Sequence, residues 1–514
     1  MEDNSGYKTK GYMQIPICDK SVTSELSGDF TLPDYQPEIK RLLKIWASVL
    51  PASKYIGESG AEFAGNIDYY VLYTGSDNEV YCAPLGAEYK IDVPVDHSSD
   101  VRVVNMTGEI SILPDMISGR VTSPRKLNIK CRLKSRAQIY GDIPIDNGFV
   151  GVGDGGENQV LMAQSQVARA IFGTGEMLRL SDEMIVDTRQ GDIRVICAEG
   201  RTMISELSCA NGAVSCRGDL YLKLLMARES GGDPYTSTRK IPFSQIITLD
   251  GADSSCTASA AASVCEMSIS VEENKIDIDV GIMTEVCARK SESIAYVKDV
   301  YSTARQCQCE YKEMTLPSAI GSHTGNFTLS DSVTLEEAGI SPDSVIIDST
   351  GTAICDGITF EDGKSVMSGK AKFNLLMRRD GEYSCCDVEL PFRYVCSVGV
   401  GACEESRASY EPSVISTRAR IDGERLGIDA EIGVRGGAWR MGQIRMLDGI
   451  SFGEEFERSG GDYVRCYPSP DDTLWSVAKR YGATVNQLMR NNKLPTDKSA
   501  DSESSLDGVK YLIV

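Results

Sequence analysis

Histidine is nearly absent from this chain: His97 and His323 are the only two in 514 residues. Both sit in polar stretches, "VDHSSD" and "GSHTGN", that read as surface loops. Histidine is the commonest general base and metal ligand, so little room remains for a Ser-His-Asp, Cys-His or HExxH constellation. No GxxxxGK[ST] loop is present to cradle phosphates. The seventeen cysteines are odd in number and scattered, with no pair of CxxC motifs. Cys307 and Cys309 supply only two of the four ligands zinc takes. With Cys385 and Cys386 they read as free thiols of a reducing compartment. Cations are also scarce: 53 Lys and Arg against 74 Asp and Glu leave a net charge of −21. Such a surface repels phosphate backbones and anionic lipid headgroups, which argues against nucleic acid or membrane as partner. No apolar run approaches the length of a bilayer span. The opening "MEDNSGYKTKGYMQIPICDK" has no apolar core, so the expectation is a protein without a secretory leader.

What is present is a repeat. At 41% hydrophobic and 25% charged the composition is that of a folded globular protein, long enough for three or four domains. Three stretches match one another: "GNIDYYVLY" from Gly65, "GDLYLKLLM" from Gly218 and "GKAKFNLLM" from Gly369. After each glycine apolar residues fall at even offsets (Ile67, Tyr69, Val71, Tyr73 in the first), the period of a half-buried strand. A second strand follows each and closes on a proline, in "IDVPV" (Pro94), "RKIPF" (Pro242) and "VELPF" (Pro391). A residue without an N–H marks a strand end or a sheet edge. A third block, "KLNIKCRL", "KIDIDVGI" and "RLGIDAEI", alternates in the same way. Upstream of Gly369, "EDGK" (Asp362, Gly363) has the composition of a hairpin turn.

The period of about 150 residues predicts whole domains in tandem, with antiparallel sheets packed as sandwiches. The boundaries expected are 1–146, 177–312 and 313–457, with a linker at 147–176. Within that linker Val160, Ala163, Val167, Ala170 and Ile171 have near-helical spacing, which predicts a helix over 157–172. "GVGDGG" (Gly151, Gly153, Gly156) spells GxGxxG, but no βαβ unit surrounds it, and a flexible linker is the expected role. Carboxylates are plentiful, yet no pair stands out as an acid and base. No catalytic residue, metal site or cofactor is expected.

The segment 462–514 differs electrostatically from the rest, with seven cations and seven acids. In "TLWSVAKRY", Leu474, Val477, Ala478 and Tyr481 form one face of a short helix that Asp472 or Thr473 caps. "TVNQLMRNN" repeats the device, with Thr484 as cap and Val485, Leu488 and Met489 inward. "YVRCY" and Tyr511–Val514 supply flanking strands, giving β-α-α-β.

At these residues the segment resembles a LysM domain: Asp472, Thr473, Leu474, Trp475, Val477, Ala478 and Tyr481, then Leu488, Asn492 and Leu494, match its pattern. The repeats resemble SPOCS domains, and three of them before a LysM resemble the SipL-like family of spore-coat morphogenesis proteins in endospore-forming clostridia. The resemblance implies a non-enzymatic adaptor in the mother-cell cytoplasm, at the outer forespore surface, whose partner is a SpoIVA-type coat ATPase. LysM domains usually bind N-acetylglucosamine polymers in a groove, which here would run between Asp471, Asp472, Thr473, Leu474 and Trp475 on one side and Asn492, Lys493 and Leu494 on the other. The family's usual glycine is replaced by Asp471, and Pro468 and Pro470 stiffen the approach. Those departures favour a protein partner over peptidoglycan. Trp475 lies at the flank of the apolar stripe, either completing a small core or presenting an aromatic anchor.

Overall fold

The computed structural model describes residues 10–57, 59–95, 103–146, 157–186, 192–398, 406–456, 464–494, 506 and 509–514. Among them the chain is mainly β, with antiparallel strand pairs throughout and three short helices. The first unit contains β1 (Lys10–Thr31), β2 (Arg41–Val49), β3 (Ser53–Gly57), β4 (Gly60–Thr74), β5 (Val80–Pro94), β6 (Val104–Ser123) and β7 (Lys126–Asp146). The second runs through β8 (Asn158–Thr174), β9 (Leu178–Ile185), β10 (Ile193–Ala210), β11 (Ala213–Arg228), β12 (Tyr235–Thr248), β13 (Thr257–Glu272) and β14 (Lys275–Ser302). The third holds β15 (Arg305–Thr334), helix α1 (Leu335–Ala338), β16 (Val345–Glu361), β17 (Lys364–Arg379), β18 (Glu382–Cys396), β19 (Ser406–Asp422) and β20 (Arg425–Glu455).

Each unit is a pair of sheets. One sheet centres on the glycine-led strand, as in β10-β11-β12 and β16-β17-β18, with β2 and β3 in succession replacing a single strand beside β4. In the other, the first strand of the unit pairs with the last: β1-β7-β6, β15-β20-β19, and β13-β14 with both β8 and β9 on β14. The alternating residues of β4 and β7 (Phe63, Ile67, Tyr69, Val71; Leu127, Ile129, Cys131, Leu133) meet in one core, and equivalent sets fill the other two. The turn at Asp362–Gly363 has both residues at positive φ (48° and 74°), the backbone that a two-residue hairpin loop requires.

The three glycines occupy one structural position. Gly65 pairs with Tyr89, Gly218 with Phe243 and Gly369 with Phe392. Each aromatic ring lies over the bare backbone: a Cβ would come within 2.7 Å of Tyr89, 2.9 Å of Phe243 and 2.6 Å of Phe392. The prolines are less uniform than their spacing suggests. Pro242 and Pro391 are equivalent, each opposite the residue after its glycine and inside an edge strand, whereas Pro94 ends β5 opposite Gly60.

Two further expectations are corrected. Residues 158–174 form a strand, β8, and belong to the sheet of the second unit rather than to a linker helix. Their spacing looks helical because apolar residues of both parities are packed, Leu161, Ala163, Val167 and Ile171 on one face and Val160, Met162, Ala170 and Phe172 on the other, so no clean alternation survives. His323 lies in β15, half-buried against Tyr394 with its Nε2 3.1 Å from the phenol oxygen, not in a loop. His97 and the glycines at 151–156 lie outside the described residues.

The units close on one another in a cycle. β5 of the first lies against β10 of the second, β12 of the second against β16 of the third, and β18 of the third against β2 of the first. A head-to-tail contact made three times and closing is a ring. At its centre Leu72, Leu225 and Leu376, each seven residues beyond its glycine, pack together. The strand beside each leucine carries a β-bulge at the same place, before Lys44, Cys197 and Asp348. The extra residues, Leu43, Ile196 and Ile347, join that central cluster.

Charges surround it: Lys223 Nζ lies 2.9 Å from Asp348 Oδ1, Arg201 Nε 3.0 Å from Glu199 Oε1, and Lys44 bonds Thr350. Burial would raise the Glu199 pKa, but Arg201, Lys223 and Lys44 outweigh it and hold the carboxyl at about 2. A second contact joins the tips of the long strand pairs, where Met13, Ile143, Val167, Ile294, Leu316 and Ile444 from all three units share one cluster.

Gly369→Ala is expected to lower stability by about 1–3 kcal/mol through overpacking against Phe392 and the Ile354 carbonyl. Gly442→Ala, whose nearest neighbour would be 3.9 Å away, should stay within about 0.5 kcal/mol of the parent. Urea unfolding of the full chain measures both.

Candidate functional site

The C-terminal module is built from β21 (Arg465–Cys466), α2 (Leu474–Tyr481), α3 (Val485–Asn492) and β22 (Leu512–Ile513), with β21 and β22 antiparallel. Thr473 caps α2, its hydroxyl accepting from the Ser476 N–H while the Ser476 hydroxyl accepts from the Thr473 N–H. Thr484 and Gln487 make the same reciprocal pair at α3. The turn residue Gly482 (φ 62°) ends α2 and Lys493 (φ 50°) ends α3, both left-handed. Cys466, Leu474, Val477, Ala478, Leu488, Met489, Leu506 and Leu512 make a small core. Tyr481, expected on the inward stripe, is 41% exposed, and Trp475 is buried in its stead at 7%.

The eight residues expected along the groove have different employments. Asp471 and Lys493 are exposed, and Leu494 is half-buried with its N–H on the Met489 carbonyl. Leu474 belongs wholly to the core. Asp472 is buried and engaged: it accepts from the Ser469 N–H at 2.9 Å and pairs with Arg480, which holds its carboxyl below the usual range. The Asn492 amide is spent inside the module. Its Nδ2 donates to the carbonyls of Leu488 and Ile513, both at 2.8 Å, and its Oδ1 accepts from the Ile513 N–H at 2.6 Å. Asn492 therefore ties β22 to α3, and its amide faces the strand rather than a ligand.

Trp475 points at the rest of the chain. Its ring meets Tyr301 edge-on, centroids 4.8 Å apart, and its Nε1 donates to Asp299 Oδ2 at 2.7 Å. Lys479, one turn further on, reaches both oxygens of the same carboxylate at 2.6 and 2.8 Å. The Tyr311 hydroxyl donates to it as well, and Tyr301 donates to the Ala483 carbonyl at 2.8 Å. Leu161 of β8 completes the apolar side. Asp299 sits just after a bulge in the β14–β8 pairing, where the strand bends. Burial would raise its pKa; the bonds from Lys479, Trp475 and Tyr311 win and lower it. Asp299, Tyr301, Tyr311 and Lys479 carry no local signal of this role, since Trp475 and Asp299 are 176 residues apart in sequence.

Two helices over a short antiparallel strand pair, reciprocally capped and closed by an asparagine, define a class of small binding module. Residues 469–498 match the model of that class: they are a LysM domain. No curated protein and no solved structure matches the chain.

Asn492→Ala strands the Ile513 N–H and two carbonyls and should cost the domain about 1–3 kcal/mol, read as an earlier melt. Asp299→Ala leaves the LysM fold intact but frees it from the second unit. Small-angle scattering should then show a larger maximum dimension. The lowered Asp299 pKa means its contribution is complete above the unfolded value of 3.8 and fades only as pH falls through the lower folded one. Docking is thus expected to persist through neutral and mildly acid solution, with the same scattering profile from pH 5 to 8.

Proposed function

We propose that the protein is a non-enzymatic adaptor of the SipL-like, spore-coat type. In this reading a ring of three SPOCS-like units is a scaffold, and the LysM domain docks a SpoIVA-type coat ATPase at the outer forespore surface in the mother cell. The observation that carries it is the fate of the expected sugar groove. Asp472 is consumed by Arg480 and Ser469, Asn492 by β22, and Leu474 and Trp475 by packing. Among the described residues, Asp471 and Lys493 are the exposed charged side chains left between the two loops to orient a glycan. The fixed mounting of the domain on Asp299 also suits an adaptor, which gains affinity when its binding surface is held in place beforehand.

The second reading is a protein that binds peptidoglycan, as LysM domains generally do, and the LysM match itself favours it. The two separate in one experiment on the full chain. Under the adaptor reading, a recombinant SpoIVA-type ATPase is captured at micromolar concentration or below, while purified peptidoglycan leaves the chain in the supernatant. Pelleting with peptidoglycan and no capture of the ATPase would replace the first reading with the second.

A further inference from the structure

Among the described residues, one face of the LysM domain has exposed aromatic side chains on the side away from the Trp475–Lys479 face, which packs on the second unit. In the β21–β22 pair Cys466 and Leu512 point into the core. Strand alternation therefore turns Arg465, Tyr467 and Tyr511 to the opposite side. Tyr467 is 70% exposed and Tyr511 45%. The Arg465 guanidinium lies over the Tyr511 ring, 5.0 Å from its centroid. Lys510, beside Tyr511, is exposed. Tyrosine and arginine are the residues that dominate protein interfaces, because they bring large amphipathic contact area at small entropic cost.

The charge of this face is distinctive. The described residues of the module hold six cations and two acids. Lys479 is neutralised by Asp299 and Arg480 by Asp472. Arg465, Arg490, Lys493 and Lys510 have no ion-pair partner among the described residues. The module's other acids, Asp462, Asp497, Asp501, Glu503 and Asp507, lie outside them. Among the described residues, this face therefore presents Arg465, without an ion-pair partner, beside two exposed tyrosine rings, on a chain whose net charge is −21.

We infer that Arg465, Tyr467 and Tyr511, with the exposed Lys510 beside them, form the docking face of the LysM domain for an acidic patch on a protein partner. The inference rests on the adaptor reading and locates its contact on the side away from Trp475. Complementary charge speeds and orients encounter, while the tyrosines supply buried area after contact.

The test uses the full chain carrying Arg465→Glu, or Tyr467→Ala with Tyr511→Ala, and a recombinant SpoIVA-type ATPase as probe, with melting curves to establish folding. Arg465→Glu should weaken capture at least about tenfold at low salt and flatten its salt dependence. The tyrosine pair should weaken it by as much at any salt. Unchanged affinity in folded variants would overturn the inference while leaving the adaptor reading intact. If the tyrosine variant does not fold, Arg465→Glu decides alone. If the parent chain fails to capture the ATPase, the adaptor reading falls, and the variants are then assayed on peptidoglycan. Loss of pelleting there would make this face a sugar-stacking platform, and retained pelleting would remove it as a binding surface; either result overturns the inference.

Discussion

Three leucines meeting at one point organise this molecule. Leu72, Leu225 and Leu376 come from equivalent strands, and they meet because a bulge in each neighbouring strand turns an extra apolar residue toward the same centre. The residues paired with them are Lys44, Cys197 and Asp348. Three identical repeats would bring three like side chains to this centre, and three lysines or three aspartates would repel. Divergence makes them compatible. Buried ion pairs add little net stability over apolar residues of similar size. Their effect here is order: Lys44 and Lys223 face Glu199 and Asp348 only when the units follow one another in one sense around the ring.

The rim repeats the device with weaker bonds. Arg194 approaches Glu79 at 3.9 Å, Arg41 approaches Glu382 at 3.8 Å, and Arg378 pairs with Asp233, so one arginine and one acid span each joint. These pairs are half-buried to exposed, so solvent screening leaves each of them little weight in stability. They set orientation around a centre whose apolar burial supplies most of the cohesion. Asp299 does the same work on a smaller scale. One carboxylate collects donors from Trp475, Lys479 and Tyr311, and a single strand position fixes the placement of a whole domain.

Much of this was legible in the sequence, within physical limits. Alternation reveals strands with one wet face, so the glycine-led strands and the "KIDIDVGI" block could be placed residue by residue. It fails where both faces are covered, which is why β8 reads as a helix. The LysM helices were legible because capping threonines and 3.6-residue periodicity are local signals. The exchange of Trp475 for Tyr481 was not, because it depends on Tyr301 and Asp299, contributed by a distant strand. The bulges were invisible too: a single extra residue shifts register without changing composition. Asn492 was read as a groove residue from the pattern alone, and its partner β22 lies twenty residues further along the chain.

The closure of the ring has a bearing on stoichiometry. A homotrimer of one repeat fused to a LysM domain would present three binding modules on one body and could cross-link whatever it bound. Here the threefold body is a single chain, and among the described residues one LysM domain is mounted on it. The surfaces that would propagate a head-to-tail polymer are also used up inside the molecule. The one LysM domain among the described residues is seated on Asp299 and Tyr301 of the second unit, so the threefold symmetry of the body ends at a single asymmetric mount.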